Sequence, residues 1–296
     1  MYDKALSRMR QGFLRYYLNG KDWDLIMKLL SVDKEKCTRC GRCADVCPTR
    51  IIDVDGEGPH TTAINCIACG HCVAVCPTAA LDNSKAPLAG QEPSGQLPVL
   101  DADTAVRFLR ARRSVRSYKK DPVSHEKILQ LLDIARLAPT GSNSQGVVYH
   151  VIDNPDTLHK ITEVTIEWME ELVKNGSPMG PYLAGSIEIY RQKGQDAILR
   201  GAPCLILAAA PKSAGMRGRD NTHFCLAYAE LYAPALDLGT CWTGLLEGCA
   251  GSGYQPLLDL LNLPDGLAMT GGLMVGYPRY LYKRFTDRNQ LHVTWG

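Results

Sequence analysis

The chain has 296 residues, of which 45% are hydrophobic and 22% charged, with a net charge of +2. That balance fits a globular protein with a large core and excludes a disordered chain; with no run of five or more Lys or Arg, it also lacks the electrostatic footprint of a nucleic-acid binder. The length suggests two domains.

Residues 1–32 place apolar side chains at Leu6, Met9, Phe13 and Tyr17, then at Trp23, Ile26, Met27 and Leu30. The spacing predicts an N-terminal helical extension, two short amphipathic helices broken near Asn19-Gly20. Six basic and three acidic residues suit this segment to a membrane surface. The commoner use of such a stripe is packing against the rest of the protein or a partner subunit. The longest apolar run of the chain, around Cys204 to Ala210, is far shorter than the ~20 residues of a spanning helix. No continuous apolar stretch follows Lys4, Arg8, Arg10 and Arg15. No membrane span and a cytoplasmic location are therefore expected.

Residues 33–81 contain one motif written twice, Cys37-x-x-Cys40-x-x-Cys43-x-x-x-Cys47-Pro48 and, 29 residues on, Cys66-x-x-Cys69-x-x-Cys72-x-x-x-Cys76-Pro77. Cys-x-x-Cys pairs also suit tetrahedral zinc. A third cysteine at equal spacing, a fourth before proline and the near-exact repeat argue against zinc. A chain this long needs no disulfide framework. The motif resembles the ligand ladder of a two-cluster bacterial ferredoxin. In such a ladder the fourth cysteine crosses to the other cube. The resemblance thus implies Cys37, Cys40, Cys43 and Cys76 on one 4Fe-4S cluster and Cys66, Cys69, Cys72 and Cys47 on the other. Each half reads as strand, cluster loop and short helix, followed by an apolar pair, Ile51-Ile52 or Ala80-Leu81. Residues 33–80 carry five basic and six acidic side chains, so charge would steer a docking redox protein only weakly. Clusters that degrade in oxygen favour a reducing cytosol, as in an anaerobe.

Residues 82–103, with three prolines and few large apolar side chains, read as a linker. Beyond it, residues 104–296 alternate helical and strand patterns. Thr104 to Arg112 reads as a helix capped by Asp103 or Thr104, and Ser124 to Ala138 as another with Ile128, Leu131, Leu132 and Ala135 on one face. Val147 to Ile152 and Cys204 to Ala209 read as buried strands. A long helix from Thr222 to Leu238 is expected to stop at Gly239 as a left-handed cap. A shorter helix follows Pro256, and Leu267 to Val275 forms the last strand. This order points to an α+β domain, with helices around one mixed or antiparallel sheet.

Two stretches of this domain bear on chemistry. Arg112-Arg113-Ser114-Val115-Arg116 offers three guanidiniums and a hydroxyl within five residues, a phosphate clamp or else a solvated basic helix end. Ala138-Pro139-Thr140-Gly141-Ser142-Asn143-Ser144-Gln145-Gly146 is a small polar loop, able to bond a flat heteroaromatic ligand or simply to turn the chain.

Together with Ala202-Pro203, Leu238-Gly239-Thr240-Cys241-Trp242-Thr243-Gly244 and Gly276-Tyr277-Pro278, these stretches resemble the nitroreductase-like flavoproteins over essentially all of residues 104–296. The whole chain resembles the ferredoxin-fused members of that family. The resemblance implies FMN as cofactor. Arg112, Arg113, Ser114 and Arg116 would hold its phosphate and ribityl chain, with Lys283 and Arg284 closing the phosphate site. Pro139, Thr140, Gly141 and Asn143 would line the ring and ribityl edge, usually from a partner subunit. Gly244 and Leu245 would offer backbone N–H groups near N5 and O4. No side chain is expected to act as acid or base, the hydride leaving from FMN N5. A homodimer is implied.

The chain departs from the family where Gln145 is followed by Gly146-Val147 instead of a proline and an aromatic residue. The side chain that would meet the pyrimidine edge, sought around Gln192 to Arg200, is unassigned. Cys204, Cys225, Cys241 and Cys249 lack ligand spacing and are expected to be buried, reduced thiols. His71 is expected to be an ordinary loop residue. Glu167, Glu170, Glu171 and Tyr190 shape substrate access or lie on solvated helix faces. Gly251-Ser252-Gly253 lacks the third glycine of a Rossmann motif. The reading is an iron-sulfur flavoprotein that passes electrons from ferredoxin or NAD(P)H to a small acceptor such as a nitroaromatic, quinone or activated alkene. The alternatives are a dehydrogenase sending electrons outward to ferredoxin and a non-catalytic redox relay or sensor.

Overall fold

The computed structural model describes residues 29–95 and 99–296, which form two compact units, the second beginning at Val99. The expected N-terminal helices lie outside the described residues apart from Leu30, which belongs to a strand.

In the first unit, β1 (Leu30–Val32) pairs antiparallel with β4 (Leu81–Asn83), and β2 (Ile52–Asp55) forms a hairpin with β3 (Gly58–Thr61). Asp82 and Asn83, expected in the linker, are part of β4. Two four-residue helices, α1 (Arg42–Asp45) and α2 (His71–Ala74), follow the glycine of each Cys-x-x-Cys-Gly turn. His71 opens α2 and is not a loop residue. The repeat is conformational as well as chemical: Arg39 and Ala68 both have φ 55°, and Arg50 and Ala79 both have φ 50°. Gly41 and Gly70, at φ 79° and 72°, take the left-handed geometry that turns each ladder into its helix. Leu29, Ile51, Ile52, Val73 and Leu81 pack with Cys72 into the core of this unit.

The second unit is a helix-sheet-helix sandwich. Its four strands, β5 (Val148–Ile152), β6 (Cys204–Pro211), β7 (Gly239–Trp242) and β8 (Leu267–Gly276), run in the order β5-β6-β8-β7 with every pair antiparallel. Alternation along β6 divides the core. Leu205 and Leu207 face Ile161, Ile166, Met169, Leu183, Leu246 and Leu257, whereas Cys204, Ile206 and Ala208 face Ile128, Leu131, Cys225, Leu226 and Ala229. The first group includes side chains of α5 (Pro155–Lys174), α6 (Gly180–Lys193), α8 (Gly244–Gly251) and α9 (Gln255–Leu261); the second includes α4 (His125–Ala135) and α7 (Gly215–Tyr232).

Several expected boundaries move. Helix α3 (Ala102–Ala111) starts earlier because Asp101 is the cap, accepting from Thr104 N at 2.9 Å and Thr104 Oγ1 at 2.6 Å. Ser124 caps α4 from outside it. β5 is an edge strand with Val148 exposed, not a buried one. Helix α7 begins at Gly215 and gives way at Tyr232 to a 3-10 turn, with Asp237 in the left-handed conformation. Gly239 is therefore no helix cap. It opens β7, where a Cβ would meet Val115 Cγ2 at 2.6 Å, so its role is close approach of two backbones.

Candidate functional site

In the first unit the eight ladder cysteines sort into two cavities. Cys37, Cys40, Cys43 and Cys76 line one, and Cys47, Cys66, Cys69 and Cys72 line the other. The fourth cysteine of each ladder thus sits with the first three of the other. Among the described residues, no group of three or more His, Cys, Asp or Glu converges tightly enough to hold a single metal ion. Donors already face the sulfurs: Ala68 N lies 3.4 Å from Cys66 Sγ and Ala80 N 3.3 Å from Cys76 Sγ. The Arg42 N–H and the Thr38 hydroxyl hold the Cys40 thiol below the usual cysteine range, whereas burial pushes the Cys72 thiol up. Four sulfurs, apolar walls and N–H donors suit a 4Fe-4S cube.

In the second unit the arginine-rich segment leaves α3 in extended form. Ser114 bridges Thr240 of β7, Val115 N donates to Thr240 O at 2.8 Å, and Lys119 N donates to Tyr277 O at 2.8 Å. Val115 and Tyr118 are buried and Arg116 is exposed. Burial pushes the Tyr118 phenol up, and its hydroxyl donates to Val115 O at 2.6 Å. Arg113 Nη2 donates to Arg284 O at 2.7 Å, and its guanidinium lies over Tyr282, which brings the Lys283-Arg284 segment beside it. Arg112 differs from its neighbours, because Nη1 is committed to Glu230 Oε1 at 2.9 Å. Arg113 lines a cleft of about 620 Å³ with Tyr277, Tyr280 and Tyr282, and Arg116 is exposed.

Gly244 and Leu245 open α8. No side chain caps this helix, so its first-turn N–H groups lack side-chain partners, and the space beside the Gly244 α-carbon is open. That is a cradle into which a flat ring edge fits. The loop of Pro139, Thr140, Gly141 and Asn143 is held elsewhere. Gly141 N donates to Asn221 Oδ1 at 2.8 Å, Asn221 Nδ2 to Ser144 Oγ at 3.0 Å and Gln145 N to Thr140 Oγ1 at 3.1 Å. Ser142, Asn143 and Gln145 all have positive φ, a cluster of strain typical of ligand-binding loops. Asn221 and Glu230 lie nine residues apart on α7, about 14 Å along the axis. One chain thus holds the basic segment and the polar loop well apart.

Sequence reasoning missed Glu230, Asn221 and Asn83. The first two lie on the buried face of α7, where polar residues blur the helical stripe. Glu167, Glu170 and Glu171 lie on α5; Glu170 pairs with Arg191 at 2.8 Å and Glu171 accepts from Tyr254 Oη at 3.1 Å. Cys204, Cys225, Cys241 and Cys249 are buried and free, as expected. No described helix is long and apolar enough to cross a membrane.

The sandwich with its basic segment and open helix start, joined to a doubled cysteine module, defines a protein of the nitroreductase class with an added 4Fe-4S dicluster domain. The chain belongs to the nitroreductase family, whose profile matches residues 109–277, and a 4Fe-4S dicluster domain matches residues 29–77. It is 25% identical over 181 residues to an FMN reductase [NAD(P)H] of Bacillus subtilis, covering 58% of this chain and 65% of that protein. It is 40% identical over 192 residues to an NADH dehydrogenase of Thermus thermophilus, covering 62% and 89%. The chain spans only about two thirds of the Bacillus relative. In fold it is similar to a nitroreductase with bound FMN from Bacteroides fragilis, with a TM-score of 0.53 and 17% identity over 64% of this chain and 98% of that one.

Proposed function

We propose that the protein is an iron-sulfur flavoprotein that moves electrons between two 4Fe-4S clusters and FMN and delivers them to a small acceptor, such as a nitroaromatic, a quinone or an activated alkene. The observation that carries this reading is the partition of eight thiols into two crossed quartets on a chain whose other unit is a nitroreductase. Bound there, FMN would supply two-electron chemistry at N5 while the clusters carry single electrons, a mismatch that gives a reason for joining the units.

The residues divide the work. Arg113 and Arg116, with Ser114, Lys283 and Arg284, would hold the phosphate through forked and charged donors. The N–H groups of Gly244 and Leu245 would meet the ring edge without a side-chain acid. Pro139, Thr140, Gly141 and Asn143 would complete the site from a second copy of the chain. The apolar face of α3, with Val106, Phe108 and Leu109 exposed, and the exposed Leu281, Leu291 and Trp295 near the C-terminus support such a homodimer, since surfaces of this kind are normally covered. A reducing cytoplasm suits the thiol quartets.

NAD(P)H is favoured as one donor by the names of the Bacillus and Thermus relatives, and reduced ferredoxin by the cysteine module. Anaerobic mixing of the purified protein with each donor, with flavin bleaching as the readout, tests the reading. Bleaching by either donor, followed by recovery on adding a nitroaromatic or quinone, is expected. Purification without flavin, or bleaching that no acceptor reverses, overturns it. Flavin bleached only by an organic substrate, with electrons then reaching oxidised ferredoxin, would reverse the direction of current.

A further inference from the structure

The duplicated module contains its own control. Residues 29 apart share backbone conformation and local chemistry: Thr49 Oγ1 lies 3.6 Å from Cys47 Sγ, and Thr78 Oγ1 lies 3.8 Å from Cys76 Sγ. The halves differ in kind at several positions lining the cavities, Val32 against Thr61 and Val54 against Asn83 among them, and of these four Asn83 is the buried one. Asn83 stands where the repeat places Val54, and each lines the cavity of its own ladder's first three cysteines.

Asn83 is only 2% exposed. Its Nδ2 lies 3.7 Å from Cys72 Sγ and 3.8 Å from Cys66 Sγ, within reach of a large sulfur acceptor. Its Oδ1 accepts from Lys85 N at 2.9 Å, which fixes the end of the amide that faces the sulfurs. An amide buried among Leu29, Ile51 and Ile52 is costly unless its hydrogens find partners, and the two sulfurs are those partners. Val54 brings no donor to the other quartet. Differences of the opposite sense exist: Thr38, Arg39 and Arg42 on the first ladder correspond to Ile67, Ala68 and His71 on the second. Those three residues are exposed and the donors they bring to Cys40 face solvent, whereas Asn83 acts in the interior.

Reduction adds negative charge to a cluster and its thiolates. A donor aimed at two of those sulfurs stabilises the reduced state more than the oxidised one and raises the midpoint potential. We propose that Asn83 sets the potential of the cluster held by Cys47, Cys66, Cys69 and Cys72, making that cluster a better electron acceptor than an apolar residue there would allow and distinguishing it from its twin. The proposal rests on the two-cluster reading above.

The test is an EPR-monitored redox titration of the full-length protein, with iron and acid-labile sulfide measured on the same samples. Asn83→Val is expected to keep its iron and to move one midpoint to lower potential while the other stays. Val54→Asn is expected to raise the other midpoint. Unmoved midpoints in an iron-replete Asn83→Val protein, or equal movement of both, overturn the proposal. If Asn83→Val loses iron, Val54→Asn decides: an upward shift of a single midpoint supports the role, and no shift or loss of iron there too overturns it. Iron and sulfide for fewer than two cubes in the unmodified protein would instead remove the two-cluster reading.

Discussion

Arg112 and Glu230, 118 residues apart, meet in the second unit with Arg112 Nη1 donating to Glu230 Oε1 at 2.9 Å, while Trp242 Nε1 donates to the other carboxylate oxygen at 2.9 Å. Glu230 is 5% exposed. Removing its cation leaves a buried carboxylate with one neutral donor. Arg112→Ala is therefore expected to destabilise the protein by about 3 kcal/mol, whereas Arg112→Met combined with Glu230→Leu costs less than Arg112→Ala alone. Denaturant midpoints of the single and double variants measure this.

Arg113 and Arg116 behave differently, because neither pairs with a buried carboxylate. Arg113→Ala with Arg116→Ala should weaken FMN binding by at least tenfold, given roughly 1.5–3 kcal/mol for each hydrogen bond to a charged group. The iron-sulfur absorbance should be unchanged. Flavin content after ultrafiltration reads the effect, and tight FMN in this variant would remove the phosphate clamp from the proposal.

Gly239→Ala places a methyl 2.6 Å from Val115 Cγ2 and 3.0 Å from Pro278 Cγ. The arginine segment would have to lift from β7, at a cost of roughly 1–3 kcal/mol. A lowered unfolding midpoint together with weaker FMN binding is the expected pair of results.

Val106→Asp with Leu109→Asp tests the exposed face of α3. If a second copy covers it, the charged pair should convert a dimer to a monomer and reduce flavin retention in the same sample. Light scattering coupled to size-exclusion chromatography, with absorbance at the flavin band, reads both.

Burial pushes the Cys204 and Cys249 thiols up to about 12, with the carboxylates of Asp153 and Glu171 adding to the effect. In the unfolded chain they ionise near the ordinary thiol pKa of about 8.5. Stability from these thiols is full below that pH and falls as pH rises through the interval to about 12, because the unfolded state then binds fewer protons. The slope is at most about 1.4 kcal/mol per pH unit for each thiol. At pH 8 neither should react with iodoacetamide until the protein is unfolded, which peptide mass spectrometry checks.

The cysteine ladders were readable because metal-ligand spacing is local and the repeat is nearly exact. The partition of the quartets was implied by the resemblance to two-cluster ferredoxins, and the buried pairs Ile51-Ile52 and Ala80-Leu81 lie in this unit. The strands Cys204 and Leu267 onward were legible from continuous apolar runs. What escaped depends on distance through space. Arg112 looks like its neighbours in sequence, and only Glu230, far along the chain, separates it from them. Gly239 follows an apolar stretch as a cap would, yet its absent Cβ serves Val115 across a strand pair. Leu30 fits a helical period but is recruited by β4. Asn83 hides in a composition shift toward loop residues, although comparison with Val54 in the other repeat could have singled it out.

The exchange of fourth cysteines has a consequence for how the module comes into being. Neither repeat holds four thiols of one cavity, so one cavity stays incomplete on the ribosome until Cys72 has emerged and the other until Cys76 has. The quartet of Cys37, Cys40 and Cys43 is closed by that last residue, and the quartet of Cys66, Cys69 and Cys72 waits for the same stretch of synthesis. Loading of the two sites is thereby tied to the emergence of the second ladder, and a chain truncated between the ladders would complete neither cavity: Cys37, Cys40 and Cys43 would lack their fourth thiol, and Cys47 the other three.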